Sequence, residues 1–260
     1  MPTRRSLIVL AAAAAFFAAP AFAIGSLVDV ELVDRSRNEP LPTYQHRGSA
    51  WVAGRPGSRY AVRLSNRSGG RVLVVLSVDG VNAVSGQTAA LGQTGYVLAP
   101  YQSTEITGWR KSLTEAAAFY FTALPDSYAA RTDRPDNVGV VGVAVFRERE
   151  RVVELAPPRP FERGDRAHAA AESSAAPAAP AAKAADGALR DERLGTGHGE
   201  REYAPTTQTS FERASERPAE VVRLRYDSYD NLVASGVLPR TRRPSFTPEP
   251  FPGFVPDPKG

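Results

Sequence analysis

Cysteine is absent from the chain. That excludes disulfides, thiolate catalysis, cysteine-ligated zinc and a lipid-modified N-terminal cysteine, so any core must hold by packing alone. Lysine is scarce, with only Lys111, Lys183 and Lys259, so nearly all of the 32 basic residues are arginine. Two of these, Arg4 and Arg5, belong to an N-terminal leader, which leaves the remainder close to balance with 28 acidic residues. The signs are interspersed and form no basic stripe, so nucleic acid is not an expected partner. Histidine is also rare: His46, His168 and His198 lie in separate segments without HxH or HExxH spacing. There is no GxSxG, P-loop or dinucleotide fingerprint. Glu105 and Glu115 are no better spaced for glycoside hydrolysis than any other acidic pair. These absences disfavour an enzyme and give no sign of a cofactor.

What is present begins with a leader over residues 1–23. Arg4 and Arg5 precede an apolar run from Leu7 to Ala19, and Ala21-Phe22-Ala23 offers a small-x-small cleavage site. The run is short for a membrane span of ~20 residues. The expectation is a cleaved signal peptide, a mature chain starting near Ile24 with no transmembrane span, and a periplasmic or secreted bacterial location. Thr3 to Ile8 also fits a loose twin-arginine pattern, so the export route stays open.

Apolar residues then recur at every second position, the period of half-buried strands. Leu27–Val33 is one such run, and Ser49–Ala53 carries Trp51. Across Arg59–Leu64, Tyr60, Val62 and Leu64 face one side. Asn66–Gly70 (NRSGG) is turn chemistry, and Arg71–Val78 is apolar almost throughout, as in a strand covered on both faces. Burying Val72, Val74, Leu76 and Val78 contributes ~1.5–3 kcal/mol each. The stretch Ser58–Asn82 therefore reads as a β-hairpin around which the chain is organised. Further strands are predicted at Gly95–Ala99, Ser103–Thr107, Ala116–Thr122 and Val138–Phe146, where Gly139 and Gly142 suggest close backbone approach or a bulge. Polar loops fill Asp34–Arg47 and Asp126–Asn137. The fold expected over residues 24–155 is mainly β, an antiparallel β-sandwich of immunoglobulin-like or jelly-roll-like type. An Ala-rich start at Leu113–Ala118 leaves a small α+β domain as the alternative.

Residues 156–193 are Ala/Pro-rich and read as a flexible linker. A returning segment spans residues 194–238. In it, Leu194–Glu200 (LGTGHGE) reads as a Gly-rich turn and Glu220–Tyr226 as a strand docking on an edge of the sandwich. A short capped helix ends it at Gly236. Residues 239–260 form a Pro-rich, disordered tail.

Several segments carry a resemblance: SVDGVN at Ser77–Asn82, GYVLAPY at Gly95–Tyr101, ITGWR at Ile106–Arg110, SYAAR at Ser127–Arg131 and NVGVVGVAVF at Asn137–Phe146. LGTGHGE and YDSYDNLVASG add to it. The chain resembles a family of uncharacterised exported bacterial proteins with no established activity, and that resemblance implies no site residues.

Gly80–Thr104 contains no charged residue. Tyr96, Tyr101 and Trp109, with Asn82 and Gln87, Gln93 and Gln102, are candidates for an aromatic and amide surface suited to a glycan or a protein. Core packing of the same rings is the competing account. Asp79 and His198 are the nearest approaches to metal ligands. Calcium asks for 6–8 oxygens and zinc for three or four ligands, so no metal is expected there. Asp126, Asp133 and Asp136 lack the DxDxDG spacing. The function expected is an exported, non-catalytic binding or structural module of the cell envelope, its partner an envelope protein or glycan. A carbohydrate- or peptidoglycan-binding module is the first alternative and a hydrolase with an unrecognised site the second. Oligomeric state is not encoded in any pattern found.

Overall fold

The computed structural model describes residues 24–150 and 193–239. The leader, His168, nearly all of the linker and the tail lie outside those residues. In chain order the first strands are β1 (Val28–Asp34), β2 (Glu39–Pro40), β3 (Thr43–His46), β4 (Ser49–Gly54), β5 (Tyr60–Asn66), β6 (Val72–Val78) and β7 (Val81–Asn82). There follow β8 (Tyr96–Leu98), β9 (Ser103–Ile106), β10 (Gly108–Arg110), β11 (Glu115–Ala123), α1 (Tyr128–Arg131), β12 (Val140–Arg147), β13 (Leu194–Tyr203), β14 (Glu220–Ser228) and α2 (Tyr229–Ala234). The helices are single turns or little more. The fold is mainly β and consistent with a β-sandwich. The Ala-rich start at Leu113 enters strand β11 and not a helix. No helix among the described residues is long and apolar enough to cross a membrane.

Three sheets share one core. A four-stranded sheet runs β2-β1-β5-β9 and a three-stranded sheet β10-β11-β13. They meet where Arg59 bridges Tyr120 and Gly57 N–H donates to the Phe121 carbonyl. Opposite them a large sheet runs β3-β4-β14-β12-β6-β7, with β8 also paired to β6. Val30, Leu32, Tyr60, Val62, Phe119 and Phe121 from one side pack with Val74, Leu76, Val143 and Leu224 from the other in a single apolar cluster. Alternation decides which residues point inward. On β11, Phe119 and Phe121 are buried while Tyr120 lies partly exposed on the outer face.

The stretch predicted as a hairpin is a crossing between layers. β5 pairs with β1 and β9, whereas β6 pairs with β12, β7 and β8. The different patterns of the two strands carry the reason. β5 alternates because its sheet faces the core on one side only, but β6 is buried on both faces. The outer face of β6, Leu73 and Val75, packs with Ala144, Phe146 and Phe211 beneath the segment that precedes β14. Asn66 holds the corner with its side chain, donating to the carbonyls of Gly70 and Ala99 at 2.8 Å each. Neither Gly69 nor Gly70 takes a positive φ there.

Two further expectations give way. LGTGHGE is not a turn but the first part of β13, antiparallel to β11. Its glycines alternate, and a Cβ on each would strike a neighbour: on Gly195 it would lie 2.6 Å from Ser127 Cβ, on Gly197 2.2 Å from Tyr120 Cζ and on Gly199 2.8 Å from the Ala118 carbonyl. Strand β14 does not lie on an edge but is inserted between β12 and β4, antiparallel to the first and parallel to the second. The predicted loop over Asp34–Arg47 contains β2 and β3, and that over Asp126–Asn137 contains α1. Gly139, with φ of 87°, would bring a Cβ within 3.2 Å of the Tyr226 carbonyl, whereas Gly142 has room for one.

Candidate functional site

Asp79 and Asn82 bracket the reversal between β6 and β7. Asp79 and Gly80 take φ of 52° and 75°, and Val78 pairs with Val81. This is the geometry of a two-residue hairpin with both central residues at positive φ. It turns the Asp79 carboxylate inward. Oδ1 accepts from Gly139 N–H at 2.9 Å and from the Tyr226 hydroxyl at 2.5 Å, and Oδ2 accepts from Thr196 N–H at 2.7 Å. Thr196 Oγ1 lies 2.6 Å from both Tyr226 Oη and Tyr60 Oη. Burial pushes the Asp79 carboxyl up to about 6, against the pull of its donors. Burial, with the Asp79 charge next in weight, raises both phenols as well. All four residues are buried. Donors occupy the Asp79 oxygens, so this is an internal clasp between strands and not an open cation site.

Asn82 is likewise used internally. Its Nδ2 donates to Gln93 Oε1 and the Thr94 carbonyl, and its Oδ1 accepts from Val84 and Ser85 N–H, which shapes the uncharged loop. Trp109 is 1% exposed. It meets Phe119 edge-on at 4.7 Å, Tyr128 at 4.8 Å and His198, nearly parallel, at 6.1 Å. His198 is held below the usual imidazole range by burial first and then by Lys111, with Arg131 and Arg201 adding to it. No group of three or more His, Asp or Glu side chains among the described residues is placed to hold a metal. Glu105 pairs with Arg63, and Glu115 lies 3.4 Å from Arg201, so neither faces the other across a cleft.

The aromatic surface expected from the sequence is therefore not assembled. Trp109 and Asn82 lie inside and Tyr101 stands out at 74% exposure. Tyr96 alone of the four lines an open groove, of about 1000 Å³. One wall is β8 with Gln102 and, from β9, Thr104, and another is Arg110 with the residues after it. Pro205–Thr209 closes the remaining side. Edge strands of all three sheets converge here: β8 pairs only with β6, while β9 and β10 each end their sheets. The lining mixes apolar side chains (Val84, Val97, Leu113, Pro205) with hydroxyls, amides and two cations, Arg110 and Lys111, and holds no Asp or Glu. Neither cation has a carboxylate partner among the described residues. Burial raises the Tyr96 phenol, with Arg110 beside it opposing, though Tyr96 Oη and Arg110 Nε do not meet in hydrogen-bond geometry. A second cleft, about 780 Å³, differs in kind, because its Arg71–Glu148 and Arg149–Glu212 pairs neutralise one another.

Sequence reasoning singled out Tyr96 and Gln102 but missed the Pro205–Thr209 wall, which carries no motif. The brevity of the three strands around Tyr96–Arg110 and the absence of charge up to Thr104 were the available signal. No protein-family model, curated protein or solved structure matches the chain.

Proposed function

We propose that the chain is an exported, non-catalytic binding module of the bacterial cell envelope, periplasmic or secreted, akin to the uncharacterised exported family it resembles. The observation that supports a binding role is the groove beside Arg110. It is open and mixed in character, bounded by edge strands, and it offers apolar contacts, hydrogen bonds and positive charge without an imidazole or carboxylate in its lining. The buried polar side chains Asp79, Asn82, Asn66 and Thr196 are spent on internal bonds, whereas the groove sets two cations without carboxylate partners among the described residues in an open concavity. The leader at residues 1–23 supports export.

The hydroxyl- and amide-rich lining favours one second reading, a carbohydrate- or peptidoglycan-binding module. Titration of isotope-labelled mature protein with solubilised envelope components tests the binding role. Resonance shifts clustered at Tyr96, Gln102, Arg110 and Thr207 are the expected result. Shifts confined elsewhere, or none with any component, reject it. Mass spectrometry of exported material that retains Met1 rejects cleavage of the leader.

A further inference from the structure

Sheet edges are normally protected from pairing by charge, proline, bulges or a covering element, because their unpaired N–H and C=O groups recruit other strands. Here β8 has β6 on one side and no strand on the other, and it lines the groove through Tyr96 and Val97. The strand carries no charge of its own, since Gly80–Thr104 holds no charged residue, and the charges that line the groove beside it are the cations Arg110 and Lys111. Among the described residues no hydrogen bond other than the β6 pairing reaches the backbone of Tyr96–Leu98, so the groups on its outer side are open, and Pro100 follows just after. The facing wall is also short of partners. Thr206 N–H donates to the Leu113 carbonyl, but no hydrogen bond among the described residues reaches the backbone of Thr207–Thr209, and Thr209 takes part only through its hydroxyl, which accepts from Arg71. The edge of β10 differs in being partly used, because Arg110 N–H donates to the Ala83 carbonyl.

We propose that the groove receives an extended acidic peptide, which adds as a strand to the open edge of β8 and sets a carboxylate against Arg110 and Lys111. This rests on the binding role assigned to the groove and names its ligand class. Strand addition gives affinity through main-chain bonds and specificity through alternate side chains. Only one sign of charge lines the groove, so an acidic residue is attracted and a basic one repelled. A glycan fits less well. Stacking on sugar rings needs an exposed aromatic face, and the groove's one ring, Tyr96, has its hydroxyl enclosed while the exposed Tyr101 lies outside the lining.

The test begins with octapeptides selected from a random display library on the full mature protein, followed by hydrogen–deuterium exchange with one selected peptide. Selected sequences should share an acidic position, and exchange at residues 96–98 should slow by about tenfold or more on binding. Lys111→Gln should weaken binding about tenfold. Arg110→Lys gives a second variant that keeps the charge near the Ala204 carbonyl to which Arg110 donates, and it should bind within about threefold of the parent. N-methylation of alternate amides in the peptide should abolish binding in one register. Tolerance of methylation in both registers overturns strand addition, and selected peptides without an acidic position overturn the charge assignment. Protection of 96–98 by chitin or alginate oligosaccharides but by no peptide overturns the ligand class while leaving a binding module standing. If no peptide and no oligosaccharide changes exchange anywhere in the groove, the binding role itself falls with it.

Discussion

The hydroxyl of Tyr226 lies 2.5 Å from Oδ1 of Asp79, and both residues are buried. The bond fixes a direction for the whole chain of hydroxyls. With Asp79 ionised, Tyr226 donates to it, Thr196 donates to Tyr226 and Tyr60 donates to Thr196, so every proton has an acceptor. With Asp79 protonated, the order reverses and the Tyr60 proton is left over. The clasp joins β5, β13, β14 and the β6–β7 turn, residues far apart in sequence, so it fixes how the layers meet.

This arrangement makes stability depend on pH with a defined sign. The folded carboxyl is raised from an ordinary 3.8 to about 6, so between those values the native state binds more protons than the unfolded one. Stability from this group therefore falls as pH rises through that window, by ~3 kcal/mol, and is flat above it. Asp79→Asn removes the titration and turns an amide N–H against a backbone N–H, at a cost of ~1–3 kcal/mol. Urea melts at pH 4, 5, 6 and 7 check this. The advantage of the parent over Asp79→Asn should shrink steadily up to pH 6, and an advantage that grows with pH would contradict the assignment.

Glycines divide by what surrounds them. A Cβ on Gly108 would lie 2.0 Å from the Ala117 carbonyl, a backbone atom that cannot swing aside. Gly108→Ala should cost more than ~2 kcal/mol through backbone displacement. Gly70 has open space around its Cα and no positive φ. Gly70→Ala should be neutral or stabilise by ~0.4–1 kcal/mol, because it narrows the unfolded ensemble. Thermal denaturation of the two variants decides the matter, and equal losses would mean that the close approach at Gly108 is absent.

Trp109 gives a direct optical check on the core. Replacing Trp51 by Phe leaves Trp109 as the only indole in the chain. At 1% exposure, with Phe119, Tyr128 and His198 against its ring, its emission should be blue-shifted and resist acrylamide. Ready quenching would put the ring at the surface, where it was one of the two readings open from sequence.

The strands and their inward faces were legible because alternation survives wherever one side of a strand meets the core, as at Tyr60, Val62 and Leu64. The partner of each strand was not. Neighbours in sequence suggested a hairpin between β5 and β6, but pairing is decided by long-range packing that local pattern does not encode. The same limit hid the place of β14, whose partners β4 and β12 flank it from distant parts of the chain. Alternating glycines at 195, 197 and 199 read as turn residues because the crowding that requires them comes from Tyr120, Ser127 and Val138. Aromatic content singled out Trp109 without saying which way it faces. The groove needed three sheet edges and an unpatterned segment to converge, and only Tyr96 and Gln102 foreshadowed it.

Glu220, the first residue of β14, ties down the segment at the start of β1. Its carboxylate accepts from the N–H groups of Ser26, Leu27 and Val28 and from the Ser26 hydroxyl. Burial alone would raise the Glu220 carboxyl, but these donors outweigh it and hold the group below its usual range. The sign is therefore opposite to that of Asp79: stabilisation is present above the ordinary carboxylate pKa and is lost as pH falls through the depressed folded value. The site is partly exposed, so solvent screening limits the effect, and Glu220→Gln should cost no more than ~1 kcal/mol of global stability. The local effect is larger than the global one, because the three N–H groups that Glu220 holds lie at the very start of β1 and immediately before it. Amide exchange at Ser26, Leu27 and Val28 should speed up about tenfold in Glu220→Gln, with exchange in β6 and β12 unchanged. Uniform acceleration across β6 and β12 would show instead that Glu220 supports the large sheet as a whole.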